Sequence, residues 1–164
     1  MTDPHFLPPI VLPQVFTTDE CDQMISFAET QTWCVDGDTV DDQPAWELNV
    51  LKHSIGQTAA ARLRKRLLEL RPEIALKNYQ IYIRKYGAPS RSSLAPHEDR
   101  SLVSFTAALN DDYEGGTFVA IGDDDVEQCI PLSVGDVVVF GGNVLHAIRP
   151  VTTGTRYSIV MHCI

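Results

Sequence analysis

The sequence predicts a mainly β fold that is preceded by helices. Two segments of the first half have helical periodicity, whereas short apolar segments separated by turn residues fill the second half. The chain has 164 residues, of which 44% are hydrophobic, and this is enough for one domain with a packed core. We therefore predict a single domain over 1–164, with a helical support region and an acidic loop at 1–75 and a jelly-roll core at 76–164.

Two helices are predicted in the first half. The segment 17–31 offers Thr17 or Thr18 as its N-cap and has acidic residues in its first turn. The segment 54–70 carries an apolar stripe at helical spacing, and Pro72 follows its end. Between them, 36–47 is acidic and rich in turn residues, so we predict a mobile loop there.

The second half changes to the two-residue period of β-strands. Strands are predicted at 79–86, 102–109, 117–121, 126–130, 136–140, 145–148 and 156–164. The turn-like segment 110–116 and the sequence GDDD at 122–125 separate neighbouring strands, the second as a hairpin turn. Short strands at this spacing are typical of a sandwich or barrel, and we predict a double-sheet jelly roll packed against two or more helices.

Charge and composition exclude several classes of function. The net charge of −9 disfavours a nucleic-acid partner, because phosphate binding needs clustered Lys and Arg. No apolar run approaches ~18 residues, and the N-terminal segment lacks the basic region of a secretory signal. The four cysteines form no CxxC pair. We expect a cytoplasmic protein with free thiols and without a membrane segment; the sequence indicates no oligomeric state.

The sequence PHEDR at 96–100 contains two candidate metal ligands. Side chains two residues apart on a strand share a face, so His97 and Asp99 would converge while Glu98 faces away. His146, 49 residues later, is the candidate third ligand. Two histidines and one carboxylate leave three positions open on a divalent ion, as in non-haem Fe(II) oxygenases. Taken alone, the HxD tripeptide favours a surface histidine, and a lone strand histidine is usually satisfied by hydrogen bonds.

Arg156 is the candidate anion-binding residue. The turn VTTGT would allow the strand of His146 to pair with the strand of Arg156, which would point the guanidinium into the barrel. An arginine there is costly unless it meets an anion, and its planar guanidinium suits bidentate binding of a carboxylate. The alternative is an edge-strand arginine in a surface ion pair.

Five segments of the sequence, taken in order, resemble those of the iron- and 2-oxoglutarate-dependent dioxygenases, most closely the prolyl 4-hydroxylase type. The co-linear segments are YIRKYG, HED, ALNDDYEGGTF, PLSVGDVVVF and LHAIRPVTTGTRY. The resemblance implies a double-stranded β-helix and Fe(II) bound by His97, Asp99 and His146. It also implies 2-oxoglutarate as co-substrate, O2 as oxidant, and ascorbate as a candidate reductant.

The resemblance assigns further positions around the co-substrate. The distal carboxylate of 2-oxoglutarate would meet Arg156, Tyr86 would hydrogen-bond the co-substrate, and Thr117 would line its pocket. His162 stands where relatives usually have tryptophan. It either touches the co-substrate or is a core histidine.

Three residues are candidate substrate contacts. Leu94 stands where some peptidyl-prolyl hydroxylases have a substrate-facing tyrosine, and Arg100 and Arg149 are close in sequence to the candidate ligands. For both arginines a solvent-facing charge is the alternative. The expected activity is hydroxylation of an unactivated C–H bond, with a peptidyl prolyl residue as the first choice of substrate. The alternatives are a free amino acid or other small molecule, and an inert binding module of the same fold.

Overall fold

The computed structural model describes residues 7–74, 76–88 and 90–164, and the strands of this part form two main antiparallel sheets. The six-stranded sheet contains β1 (Ile10–Leu12), β2 (Glu47–Asn49), β3 (Tyr79–Gly87), β5 (Val103–Ala108), β9 (Val137–Gly141) and β12 (Thr155–Cys163), in the order β1-β9-β5-β12-β3-β2. The four-stranded sheet contains β4 (Leu94–His97), β7 (Phe118–Ile121), β8 (Glu127–Ile130) and β10 (His146–Ile148), in the order β4-β10-β7-β8. A short pair joins β6 (Glu114–Gly115) to β11 (Val151–Thr153). The predicted mainly β fold is confirmed.

Two helices pack on the six-stranded sheet. Helix α1 (Thr18–Glu29) begins after Thr17, whose hydroxyl accepts from the Glu20 amide while the Glu20 carboxylate accepts from the Thr17 amide. This reciprocal capping box explains why the helix starts here. Helix α2 (Ser54–Leu70) has the bounds that its sequence predicts. Neither helix is long and apolar enough to cross a membrane.

Alternation along the strands divides the interior into two cores. One face of the six-stranded sheet packs on the helices, and its side chains include Ile81, Ile83, Phe105, Val139, Ile159 and Met161. The opposite face turns toward the four-stranded sheet and contributes Tyr86, Val138 and Phe140 to a second core with Leu94, Phe118 and Ile148. Because successive side chains of a strand point to opposite faces, β12 places Ile159, Met161 and Cys163 in the core packed on the helices and turns the side chains between them toward the four-stranded sheet. The candidate site lies at the second core, between the sheets.

The predicted pairing of the His146 strand with the Arg156 strand is wrong. Strand β10 pairs with β4 and β7, whereas β12 pairs with β3 and β5 in the other sheet. The intervening residues do not form a hairpin turn, because β11 lies within them and pairs with β6. The chain therefore crosses from one sheet to the other between the two residues. The side chain of Arg156 still lies in the interior, as predicted.

Five short strands were not predicted, namely β1, β2, β4, β6 and β11. Each has two to four residues, and a segment this short gives only a weak two-residue period in the sequence. The expected boundary between the support region and the β core falls on residue 75, and this position lies outside the described residues. The same holds for residues 1–6, the first part of the segment assessed as a secretory signal.

Candidate metal centre

His97 and His146 lie opposite each other on neighbouring strands. His97 ends β4, His146 begins β10, and the two residues are register partners, with ring centroids 4.2 Å apart. Asp99 follows β4 by two residues, and one ligand atom from each of the three side chains lies within 4.8 Å of the others. Across the described ranges, no other three His, Cys, Asp or Glu side chains converge in this way. The predicted convergence is therefore present, while Glu98 is exposed.

Backbone carbonyl groups fix the tautomer of both histidines. His97 Nδ1 lies 2.8 Å from the Ala95 carbonyl oxygen, and His146 Nδ1 lies 2.9 Å from that of Val144. A carbonyl oxygen only accepts, so each Nδ1 carries the proton and each Nε2 keeps its lone pair. These Nε2 atoms face Asp99, at 3.4 Å for His97 and 3.8 Å for His146. Donation of Nδ1–H to a carbonyl is the usual arrangement of a metal-binding histidine.

The charges of the three groups favour a cation between them. Burial lowers the pKa of His146 to about 4, against the opposing effect of Asp99, so this imidazole is neutral at pH 7. Although burial acts in the other direction, the neighbouring imidazole of His162 holds the pKa of Asp99 well below its usual range. The Asp99 carboxylate is therefore ionised. Two neutral nitrogen donors and one carboxylate form a donor set that suits a divalent transition metal.

Aromatic side chains hold His146 in place. Phe118 stacks on its ring at 5.4 Å between centroids, and Phe140 meets it edge-on at 4.7 Å. Both phenylalanines are buried and belong to the second core. This packing restricts rotation of the imidazole and keeps water away from one side of the candidate metal centre.

Arg156 is a buried cation without a carboxylate partner among the described residues. Only 2% of the residue is exposed, and no ion pair joins its guanidinium to a described Asp or Glu. Its Nη1 donates to Ser158 Oγ at 3.2 Å, whereas its Nε has no hydrogen-bond partner in the described part of the chain. The ring of Tyr86 lies 5.6 Å from the guanidinium carbon. A buried, uncompensated guanidinium is a strong candidate for binding an anion.

A cavity of about 520 Å³ connects the candidate metal centre with Arg156. Its walls contain eight of the predicted site residues, which are Tyr86, Leu94, His97, Asp99, Arg100, His146, Arg156 and His162. Leu94 is buried in the wall, and Arg100 is exposed. His162 is not a core histidine, because its ring lines the cavity and its Nδ1 lies 3.4 Å from Asp99 Oδ2.

Thr117 and Arg149 lie outside this cavity. Thr117 lines a separate cavity of about 180 Å³ that also contacts Arg156, and its carbonyl accepts from the Arg149 amide at 2.9 Å. The Arg149 side chain is exposed and forms an ion pair with Glu127 on β8. Arg149 therefore has the solvent-facing charge that was its alternative interpretation.

Three buried hydroxyl groups of the site were not predicted from the sequence. Ser104 and Thr106 on β5 and Ser158 on β12 are each at most 6% exposed. Thr106 and Ser158 line the large cavity, and Ser104 bonds to Asp99. The available signal was the recurrence of a polar residue at every second position of otherwise apolar strands.

Ion pairs fasten the acidic segment 36–47 to the site. The buried carboxylate of Asp38 lies 3.2 Å from both Arg84 and Arg91, while Arg91 also pairs with Asp41 at 3.0 Å and Arg84 with Glu47 at 2.7 Å. Backbone bridges cross its base. The segment thus makes many fixed contacts, unlike the mobile loop expected from its composition. Its residues 38–40 form part of the cavity wall.

Comparison with curated proteins finds PKHD-type hydroxylases. No model of a protein family matches the chain. PKHD-type hydroxylases of Shewanella oneidensis and Pseudomonas fluorescens are 28% and 29% identical to it, covering 93% and 90% of this chain and 76% and 74% of those proteins. A PKHD-type hydroxylase of Delftia acidovorans is 43% identical over 61 residues, which are 36% of this chain. In this match and in two further ones, the chain spans only 26% to 31% of the length of the curated relatives.

Solved structures share the fold along the whole chain. A prolyl-4-hydroxylase of Pseudomonas putida has a TM-score of 0.74 at 18% identity and covers 96% of this chain and 92% of its own. The viral collagen prolyl hydroxylase of Paramecium Bursaria Chlorella virus-1, in its 2-oxoglutarate complex, has a TM-score of 0.73 at 15% identity, with 94% of each chain covered. The sequence and structure comparisons therefore agree: the chain is similar along nearly its whole length to PKHD-type hydroxylases and shares the fold of the solved prolyl hydroxylases.

Proposed function

We propose that the protein is an Fe(II)- and 2-oxoglutarate-dependent dioxygenase that hydroxylates an unactivated C–H bond. The observation that carries this proposal is the presence, in one cavity, of three converging ligand atoms and a buried arginine without a carboxylate partner among the described residues. The three converging ligand atoms suit a metal ion, and the buried arginine suits a carboxylate. A keto acid with two carboxylates would suit both groups, because one end can chelate the metal while the other pairs with the guanidinium.

The residues present fit both groups. His97, Asp99 and His146 would hold Fe(II) through two neutral nitrogen atoms and one carboxylate, which leaves positions for exogenous ligands. Arg156 would hold the distal carboxylate of 2-oxoglutarate, with its unpartnered Nε among the available donors. When both are bound, iron and 2-oxoglutarate supply the oxidising chemistry, in which O2 provides one oxygen atom to succinate and one to the hydroxylated substrate, with release of CO2.

The remaining residues of the cavity position these groups and exclude water. Tyr86 lies opposite Arg156 in the register of β3 and β12, and its ring restricts where the guanidinium can point. Phe118 and Phe140 keep the imidazole of His146 in one orientation. The wall formed by residues 38–40 narrows the cavity on the side of the ionic cluster. Substrate would enter past the exposed residues Glu98 and Arg100.

A prolyl residue of a peptide is the first candidate substrate. Support comes from the fold, which is shared with a P. putida prolyl-4-hydroxylase and with a Trichoplax adhaerens prolyl hydroxylase in complex with a peptide fragment. A small molecule is the second candidate. The fold is equally similar to a carbocyclase of nogalamycin biosynthesis, at a TM-score of 0.77, and Leu94 replaces the substrate-facing tyrosine of some peptidyl hydroxylases.

Turnover of 2-oxoglutarate tests the proposal directly. We expect purified protein to form succinate from 2-oxoglutarate only when Fe(II) and O2 are present, with ascorbate added as reductant. His97→Ala should abolish this turnover. Retention of activity in His97→Ala would overturn the assignment of the metal centre, and an inactive wild-type protein that binds neither metal nor 2-oxoglutarate would favour an inert module. A peptide array beside a panel of free amino acids, read for products heavier by one oxygen atom, separates the two substrate classes.

A further inference from the structure

The hydroxyl of Ser104 makes three contacts near the candidate metal centre. Its Oγ lies 2.5 Å from Asp99 Oδ2, 3.0 Å from His162 Nδ1 and 2.8 Å from Ser101 Oγ. Ser104 is fully buried, and it is the register partner of His162 across β5 and β12. Opposite residues of an antiparallel pair point to the same face, so the backbone itself brings this serine and this histidine together.

The donors and acceptors that these groups offer determine the direction of the hydrogen bonds. Ser104 has one hydroxyl proton, and a carboxylate that serves as a metal ligand is deprotonated and only accepts. Ser104 must therefore donate to Asp99 Oδ2 and use its lone pairs for its other two neighbours. His162 then donates from Nδ1–H to Ser104, and Ser101 donates its hydroxyl proton to the same oxygen. A directed chain thus runs from His162 through Ser104 to Asp99.

The chain holds one oxygen of the carboxylate and leaves the other available. Oδ2 is engaged by Ser104, whereas Oδ1 faces His97 Nε2 at 3.4 Å. His97 Nε2 carries a lone pair, since Nδ1 donates to the Ala95 carbonyl. Without Ser104, rotation of the carboxylate about its own axis would meet less resistance. The hydrogen bond therefore holds the carboxylate in the orientation in which Oδ1 faces His97 Nε2 and Oδ2 lies 3.8 Å from His146 Nε2.

We propose that His162, acting through Ser104, is a positioning residue for Asp99 and hence for the metal. This inference rests on the proposed function, because it requires Asp99 to be a metal ligand. Hydrogen-bonding partners of metal ligands typically change metal affinity by roughly 10–100-fold when they are removed. The role differs from contact with the co-substrate, which was one of the two expectations for His162.

Metal titration separates this role from a structural one. Co²⁺ is titrated anaerobically, without 2-oxoglutarate, into the wild type and into Ser104→Ala, His162→Phe and His162→Asn. Ser104→Ala and His162→Phe should each raise the Co²⁺ dissociation constant roughly tenfold or more. His162→Asn should bind Co²⁺ nearly as well as the wild type, because its amide N–H can replace the Nδ1–H that donates to Ser104. The phenylalanine variant keeps an aromatic ring and removes only the donor.

A matched control comes from the same face of β12. Ser158 is also a buried hydroxyl that lines the cavity, but it bonds to Arg156 and not to Asp99. Ser158→Ala should therefore leave the Co²⁺ dissociation constant unchanged. Urea unfolding of every variant establishes that it is folded, and the two His162 variants keep the test valid where Ser104→Ala does not fold.

The outcomes distinguish the inference from the proposed function. If His97→Ala loses Co²⁺ while Ser104→Ala and His162→Phe bind it like the wild type, the positioning role is wrong and the metal centre stands. If His162→Asn binds Co²⁺ as weakly as His162→Phe, the histidine does not act through its donor to Ser104. If His97→Ala binds Co²⁺ as tightly as the wild type, the metal centre itself is wrongly assigned.

Discussion

Gly116 is in direct contact with the side chain of Arg156, and this contact leaves no room for a β-carbon. A β-carbon on residue 116 would lie 2.9 Å from Arg156 Cδ and 2.9 Å from Val151 Cγ2. The backbone of Gly116 also has φ +65°, in the left-handed region that favours glycine. This glycine follows β6 and precedes β7, so the turn between these strands determines how closely the side chain of Arg156 can pack against the backbone.

We expect Gly116→Ala to weaken the use of 2-oxoglutarate by displacing Arg156. The predicted effect is an increase of about tenfold in the KM for 2-oxoglutarate, which corresponds to ~1.4 kcal/mol of lost binding. Succinate formation at varied 2-oxoglutarate concentration measures it. Gly122→Ala is the control, because the atom nearest to a β-carbon at residue 122 belongs to the side chain of Asp124 and not to Arg156. An unchanged KM in a folded Gly116→Ala protein would show that Arg156 does not depend on this contact.

The KM for 2-oxoglutarate should depend on both the charge and the hydrogen-bond donors of Arg156. Arg156→Gln removes the buried charge and should raise the KM for 2-oxoglutarate roughly 100-fold, since hydrogen bonds to a charged group are worth about 1.5–3 kcal/mol. Arg156→Lys keeps the charge but loses the planar pair of donors, so its KM should lie between those of the wild type and Arg156→Gln. A KM that is the same in all three proteins would contradict the assignment.

Removing the charge of Asp38 should loosen the segment 36–47. Asp38→Asn removes the buried partner that Arg84 and Arg91 share, and because Arg84 keeps Glu47 and Arg91 keeps Asp41, the cost should be about 1–2 kcal/mol, below that of an uncompensated buried charge. Urea unfolding gives the loss of stability, and limited proteolysis should show faster cleavage within the segment. Asp42→Asn, at an exposed position of the same segment, is the control and should behave like the wild type. Equal proteolysis of both variants would argue against the ionic attachment.

The stability of the N-terminal helix should depend on pH through Glu20. The hydrogen bonds from Arg62, and next that from the Thr17 amide, lower the pKa of Glu20 to about 2 from 4.5. A lowered pKa in the folded state stabilises the protein above pH 4.5, and this stabilisation is lost as the pH falls from 4.5 toward 2. Because the carboxylate is one-third exposed, we expect Glu20→Gln to lower the free energy of unfolding by only about 1 kcal/mol at pH 7.

Urea unfolding of the wild type and Glu20→Gln over this pH range tests the sign. The difference between the two proteins should be constant from pH 7 to about pH 5 and then shrink. A difference that grows as the pH falls would show that the carboxylate is not stabilised by Arg62.

Two of the four thiols should react in the folded protein. Cys34 and Cys129 are exposed, whereas Cys21 and Cys163 are buried. Burial raises the pKa of Cys21 to about 11 and that of Cys163 to about 12, so these thiols stay protonated and inaccessible. Mass spectrometry after iodoacetamide treatment should find two labels on the native chain and four after denaturation. Labelling of Cys21 or Cys163 in the native protein would indicate that the helical core opens.

The sequence predicted those features that depend on neighbours along the chain. The bounds of α2 follow from its own periodicity, and Thr17 caps α1 through a contact three residues away. Strands β3 and β12, at nine residues each, are long enough to show their period. The partner of β10 was mispredicted because strand pairing is decided by distant residues, and a plausible turn beside it suggested the wrong sheet.

The same distinction applies to the candidate site. The two-residue spacing of His97 and Asp99 identified the pair, although Asp99 lies beyond the end of β4, and the addition of His146 required only that its strand lie nearby. The bond between Ser104 and Asp99, and the attachment of Asp38 to Arg84 and Arg91, depend on how distant segments meet. Neither serine nor aspartate is unusual enough in the sequence to indicate such a partner.

Because successive side chains of β12 point to opposite faces, substitutions on its cavity-facing side leave the core packed on the helices unchanged. The side chains of Arg156, Ser158, Val160 and His162 face the cavity, whereas Ile159, Met161 and Cys163 lie in the helical core. A substitution at Val160 therefore alters the shape offered to a substrate without repacking the helices. Libraries that vary this position and its cross-strand neighbours Tyr82 and Thr106 should yield folded proteins in which the shape of the cavity differs, because these three side chains line the cavity and do not belong to the core packed on the helices.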